Sequence, residues 1–350
     1  MAVFSVPNVK ISGLAACVPK HTEDNENMPL LTAEESELFI KTVGIRYRRV
    51  AQNGITSSDL CLQAAERLIA DLAWKKEEIN ILIFITQTPD YIIPNTSSLL
   101  QNKLQLPKTC MAFDINLGCS GYVYGLSVIT SLLQNMPGAK ALLLVGDIST
   151  KTISHTDKST APLFSDAGTA TALEFAPGQQ MHFSLQTDGT EFDDIIISDG
   201  GFRNPVSEKS FEPIEFEKGV VRNALQMKLD GVKIFNFSLR EIALNINNLL
   251  SQKKIDKESI DFFVFHQANL LILESIRRKL KLAPEKVPYS LYDFGNTSSA
   301  TIPLTMLVNL KNELAHRKVK LLIAGFGVGL SWGSAYIETE NILFSELIEI

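Results

Sequence analysis

Long hydrophobic runs are missing from this chain: no stretch approaches the roughly 20 consecutive apolar residues of a membrane-spanning helix. A surplus of basic residues is missing too. Lys and Arg number 33 against 39 Asp and Glu, for a net charge of −6. That balance argues against non-specific binding to nucleic acid or to an anionic membrane. Cysteine is scarce. Cys17, Cys61, Cys110 and Cys119 are scattered without paired spacing, so neither a disulfide framework nor a metal site is expected. The N-terminal MAVFSVPNVK has no basic lead-in and breaks its apolar stretch with Pro7, Asn8 and Lys10, unlike a secretory signal. The glycines at 325, 327, 329 and 333 are not followed by Lys-Ser/Thr, so a phosphate loop is not expected. These absences point to a cytoplasmic globular protein with no metal and no cofactor.

What is present suffices for a large core. Apolar residues make up 45% of 350 positions, enough for about two domain-sized units. Strands read as continuous apolar runs at Ile81–Ile85, Ala141–Val145, Phe262–Phe265 and Leu321–Ala324, the pattern of parallel strands covered on both faces. Helical spacing follows in LCLQAAERLIADL, with Ser58 or Asp59 as its cap, and in FSLREIALNINNLLSQ. Segments about 180 residues apart resemble one another: KKEEINILIFITQT with DKESIDFFVFHQAN, FDINLGCSGYVYGL with YDFGNTSSATIPLT, and AKALLLVGDIST with VKLLIAGFGVGL. Three matches in the same order indicate a duplicated α/β unit. The halves span 1–175 and 231–350. Between them, 176–230 is rich in Gly, Asp and Pro and reads as a loop-rich connection, and loops of that length are usually functional.

Cys119 carries the chemistry. It stands in DINLGCSGYVYGL, between a short strand and an apolar helical stretch. A cysteine at a helix N-terminus sees the positive end of the dipole, which predicts a lowered pKa and a nucleophilic thiolate. His266 ends an apolar run in DFFVFHQANL, and a strand end projects its residues toward the ligand-binding edge of an α/β sheet. Asn296 occupies a strand–Gly–polar–helix junction in YDFGNTSSATIPL. The repeat places Cys119 and Asn296 at equivalent junctions. A hydrolase elbow, G-x-C-x-G, is not matched by Gly118-Cys119-Ser120-Gly121. The C-G-S-C-W of papain-type proteases is absent as well.

On four motifs — DINLGCSGYVYGL, HQAN (266–269), FGNTSSATIP (294–303) and GFGVGLSWGSA (325–335) — the sequence resembles the β-ketoacyl-ACP synthase III family of the thiolase superfamily over nearly its whole length. The resemblance implies a duplicated five-layered αβαβα fold, a homodimer, and a Cys–His–Asn triad carried here onto Cys119, His266 and Asn296. It implies a decarboxylating Claisen condensation of an acyl thioester, acyl-CoA or acyl-ACP, with malonyl-ACP through an acyl-cysteine. The oxyanion would lie against the N–H groups of Cys119 and Val328, with Phe326 lining the site. The alternative is an acyltransferase without decarboxylation, or a specialised ketosynthase of a secondary lipid, lipopolysaccharide or pigment pathway.

Some family positions are altered. Leu38, Thr42 and Lys158 stand where members primed by acetyl-CoA hold the CoA adenine, which implies a different acyl donor. Asn236 and Leu271 replace two basic residues that help dock acyl carrier protein, leaving Arg277, Arg278 and Lys279 as the basic face near His266. The family's tunnel-closing loop corresponds to 87–100, with Ile93 where Phe is common, which implies a deeper acyl tunnel in the partner subunit.

Overall fold

The apolar runs become interior strands because each has helices to cover both of its faces. The computed structural model describes residues 2–350. In chain order the main elements are β1 (Ala2–Val18), α1 (Ala33–Val43), α2 (Ser57–Asp71), β2 (Ile79–Ile85), α3 (Thr96–Lys103), β3 (Met111–Ile115), α4 (Gly121–Leu133), β4 (Lys140–Ile148), β5 (Asp166–Thr187), α5 (Gly231–Lys253), β6 (Phe262–Phe265), α6 (Leu270–Lys279), α7 (Thr301–His316), β7 (Val319–Gly327) and β8 (Ser331–Thr339). The sheet order is β6-β7-β8-β5-β4-β2-β3, with β1 antiparallel along β5. Among the described residues no helix is long and apolar enough to cross a membrane.

The two faces of each strand decide the layering, since successive side chains point to opposite sides. Ile81, Ile83 and Ile85 of β2 turn inward to Leu126 and Ile129 of α4 and to Ile302 and Met306 of α7. Val264, Leu321 and Ile323 of β6 and β7 reach the same central layer from the other side. Leu82 and Phe84 turn outward to Leu60 and Leu68 of α2 and Leu100 of α3. Phe263, Phe265 and Leu322 meet Ile242 and Ile246 of α5 and Ile272 of α6. The layers therefore run α2/α3, sheet, α4/α7, sheet, α5/α6.

The topology repeats as the sequence does. In each half two parallel strands, β2/β4 and β6/β7, are followed by an antiparallel one. That last strand in the first half is the opening stretch of β5, Asp166–Glu174 against β4. The closing stretch, Met181–Thr187, pairs with β8 of the second half. The change of partners coincides with a shift in register against β1 between Pro7 and Val9.

Two expectations need correction. The connection at 176–230 begins as strand: β5 continues to Thr187, since its backbone is paired by β1 on one side and β8 on the other. Only beyond it does the chain pass into turns and two- to four-residue strands. The cap of α2 is Thr56, not Ser58 or Asp59. Its hydroxyl accepts from the Asp59 N–H, and the Asp59 carboxylate accepts from the Thr56 N–H, a reciprocal pair that satisfies two otherwise unpaired donors.

Candidate active site

A cavity of about 600 Å³ opens at the carboxyl ends of the strands and is lined by Cys119, His266, Asn296, Phe326 and Val328 together. Residues over 200 positions apart converge there because each follows an equivalent strand end. The segment after β5 also contributes, with Ile195–Ile197, Met227 and Leu229 forming apolar wall.

Cys119 stands two residues ahead of α4, with Ser120 as the cap. The N–H groups of Val328 and of Cys119 itself, with the Ser298 side chain, lie near enough to the sulfur to favour its thiolate form. Gly327 is required for this approach: a Cβ there would lie 2.9 Å from the Cys119 sulfur. The Val328 turn is braced by Ser331, whose hydroxyl donates to the Val328 carbonyl at 2.9 Å and pairs with Ser120 Oγ at 2.7 Å.

The expected lowering of the thiol pKa is not met. Burial, reinforced by the Asp147 carboxylate, pushes it up to about 11 despite the neighbouring groups that favour thiolate. Loss of hydration outweighs the helix end. The resting Cys119 side chain is therefore a thiol. Asp147 is wholly buried and lies in the cavity wall. One oxygen accepts from the Gln87 N–H at 2.7 Å and Thr86 Oγ1 at 3.1 Å; the other accepts from Ser299 Oγ at 2.7 Å. It ties the first half of the chain to the segment carrying Asn296. Besides Asp147, the titratable side chains lining the cavity with Cys119 are Asp199 and His266. Asp147→Asn removes the negative charge, so the pH midpoint for alkylation of Cys119 should fall and alkylation at pH 8 should quicken. An unchanged midpoint in folded protein would remove Asp147 from the electrostatics of the thiol.

His266 follows β6, and its N–H donates to the Ala324 carbonyl at 2.8 Å. Its Nδ1 lies 2.7 Å from Thr301 Oγ1, and its ring meets Phe326 edge-on at 5.5 Å. Burial drives its pKa down to about 3, so the imidazole is neutral at physiological pH. The single Thr301 hydroxyl proton has two acceptors in reach, His266 Nδ1 and the Ser298 carbonyl at 2.9 Å; in the tautomer with that proton turned to Nδ1, Nε2 carries the ring proton and is a donor for a ligand. Asn296 is buried, and its Oδ1 accepts from the Ser298 N–H at 2.9 Å. That leaves the NH₂ half of the amide for a ligand.

Other expected residues lie elsewhere. Ile93 is 84% exposed and is absent from its own chain's cavity wall, as are Tyr91 and Ile92 beside it. The three basic residues are not equivalent. Arg277 forms a two-bond pair with Glu274 and donates to the Leu282 carbonyl at 2.7 Å. Lys279 donates to the Leu239 carbonyl at 2.6 Å. The Arg278 side chain is 75% exposed. Leu38 is exposed, and Lys158 is paired with Glu35 at 3.2 Å. Sequence reasoning missed Asp147 and Thr301; the one available signal was an acid closing an otherwise apolar run, VGD at 145–147.

Comparison with known proteins identifies the family. Residues 113–189 match the family described as 3-oxoacyl-[acyl-carrier-protein] synthase III, and 250–339 match its C-terminal part. Beta-ketoacyl-[acyl-carrier-protein] synthase III of Streptococcus agalactiae is 32% identical over 94% of this chain and 98% of its own. The chain belongs to the 3-oxoacyl-ACP synthase III family. The crystal structure of 3-oxoacyl-(acyl-carrier protein) synthase from Burkholderia xenovorans superposes with a TM-score of 0.93 at 38% identity, covering 100% of this chain and 99% of that one. The synthase III of Pseudomonas aeruginosa gives 0.81 at 25% identity, covering 96% and 99%. The duplicated five-layered fold is thus that of the thiolase-like synthases III, and the cavity lined by Cys119, His266 and Asn296 is this synthase III's candidate active site.

Proposed function

We propose that this synthase III carries an acyl group on Cys119 and condenses it with malonyl-ACP, using His266 and Asn296 to stabilise the enolate. Members of the family are acyl-transferring condensing enzymes. The observation that carries the assignment of roles is the convergence of three kinds of donor on one cavity: two backbone N–H groups at the sulfur, a neutral imidazole, and a free carboxamide NH₂.

In the first half-reaction Cys119 Sγ adds to the donor thioester carbonyl. The Cys119 and Val328 N–H groups receive the developing oxyanion, as preorganised backbone donors do. The C–S bond of the donor breaks, and the proton of the thiol leaves with the departing thiolate. In the second, malonyl-ACP loses carbon dioxide, and the electron pair of the broken C–C bond becomes an enolate. Nε2 of His266 and the Asn296 amide donate to its oxygen, where charge develops. The enolate carbon attacks the acyl-cysteine carbonyl. The sulfur is expelled and takes up a proton, and 3-oxoacyl-ACP forms. The direct test is release of carbon dioxide from malonyl-ACP coupled to 3-oxoacyl-ACP, with the acyl mass found on Cys119 in intact protein. Acyl transfer to a hydroxyl or amine without carbon dioxide would refute the condensation in favour of simple acyl transfer.

Leu38, Thr42 and Lys158 support a donor other than acetyl-CoA, because none of the three is an aromatic that could stack the adenine. For the acidic carrier protein, Arg278 and Lys279 are the two basic residues of the three that remain exposed. The exposed apolar tip Tyr91-Ile92-Ile93 fits a homodimer in which each tip closes the partner's acyl tunnel. In that arrangement Ile93→Phe shortens the preferred acyl chain, with each buried methylene lost to the tunnel worth about 0.8 kcal/mol. The check is kcat/KM across a chain-length series; an unchanged profile in a dimeric variant would take Ile93 out of the tunnel.

A further inference from the structure

Two carboxamides stand beside the nucleophile. Strands β2 and β3 are parallel neighbours with Ile85 opposite Ile115, and the Thr86 N–H donates to the Ile115 carbonyl at 3.3 Å. The chain leaves both strands at one level, and Gln87 and Asn116 follow within two residues of that pairing at the carboxyl edge of the sheet. Both line the cavity that holds Cys119. Gln87 lies over Gly118, the residue before the nucleophile. A Cβ on Gly118 would come within 2.3 Å of Gln87 Oε1 and 2.9 Å of a Val328 methyl. Gly118 therefore matters for room rather than for turn geometry, and the room is filled by the Gln87 amide.

The backbone of Gln87 is fixed by its N–H bond to Asp147, which aims the side chain. Among the described residues neither the Gln87 nor the Asn116 amide has a hydrogen-bond partner; both are solvent-exposed where they border the cavity, so a ligand seated there would take them from water. Two neighbouring hydroxyls are already engaged: Thr152 Oγ1 donates to the Ser149 carbonyl, and Thr88 Oγ1 accepts from the Ile148 N–H. A carboxamide offers two donors and an acceptor. Against a plain alkyl chain these groups lose water and gain nothing, whereas a hydroxyl can both donate to one and accept from the other. Sites built to bond a substrate hydroxyl discriminate strongly against the analogue that lacks it.

We propose that Gln87 and Asn116 select an acyl group bearing a hydroxyl on its second or third carbon. This rests on the reading of Cys119 as the acyl carrier. The experiment is competition at equal concentration between butyryl and either 2- or 3-hydroxybutyryl thioesters, each presented both on CoA and on acyl carrier protein, followed as the mass added to intact protein, with Cys119→Ala as control. The hydroxyacyl adduct should form at least about tenfold faster on the wild type. In Gln87→Leu and Asn116→Leu that ratio should fall toward one. Equal rates on the wild type for both hydroxylated probes would overturn the proposal, and so would a preference that survives in both variants. No acyl mass on the wild type from any probe, or the same mass on Cys119→Ala, would instead overturn the acyl-cysteine reading itself.

Discussion

Cys119→Ala abolishes condensation and leaves decarboxylation of malonyl-ACP measurable. In the proposed route the sulfur is the sole atom that receives the acyl group, so its loss removes the covalent route; loss of a covalent nucleophile costs about 10⁶ in kcat where it has been dissected. The donors for the enolate are untouched, because His266 is held by Thr301 and Ala324, and the Asn296 amide by Ser298. Carbon dioxide release and acyl incorporation are measured in parallel on the same preparation. Acylation of the alanine variant at the wild-type rate would end the nucleophile assignment.

His266→Ala and Asn296→Ala reverse that pattern. Each removes one donor aimed at the developing enolate, worth about 2.7–4 kcal/mol, or 10²–10³ in rate. Acylation of Cys119 depends on backbone N–H groups that both variants retain, so it should fall much less. The double variant should lose little more than either single one, since groups that act as a unit are non-additive. With the imidazole pKa near 3, the decarboxylation rate should show no histidine limb between pH 5 and 8. Equal losses in both half-reactions, or a limb near pH 6.5, would argue against a neutral donor at His266.

The parts of this site that were legible in the sequence were the ones that repeat. Cys119 and Asn296 could be placed at equivalent junctions because strand, turn and helix follow in the same order in both halves, and His266 because its strand matches β2. The electrostatics were not legible. A helix N-terminus argues for thiolate, but the burial of Cys119 and its nearness to Asp147 depend on β4, which is distant in sequence and adjacent only in the fold. Asp147 itself reads as a strand-ending turn residue until Thr86, Gln87 and Ser299 are seen to bond it. Arg277 is a different case. Its partner Glu274 sits three residues earlier on the same helix, a spacing that favours pairing, and so its engagement could have been read. The end of β5 could not, because Pro177 and Gly178 read as loop and do form a bulge outside the pairing, while pairing with β1 resumes at Gln180 beyond them.

That shared strand makes the molecule indivisible along its own line of duplication. A protease nick or an engineered split at residue 175 would sever a single extended segment that is the margin of one sheet and the origin of the other. Each fragment would present bare backbone donors and acceptors along a cut edge, the arrangement that invites pairing with foreign chains. The two copies of the ancestral unit have thus become one cooperative body, and its insertion tolerance should be sought in the turns after Thr187, not at the midpoint where the sequence repeats.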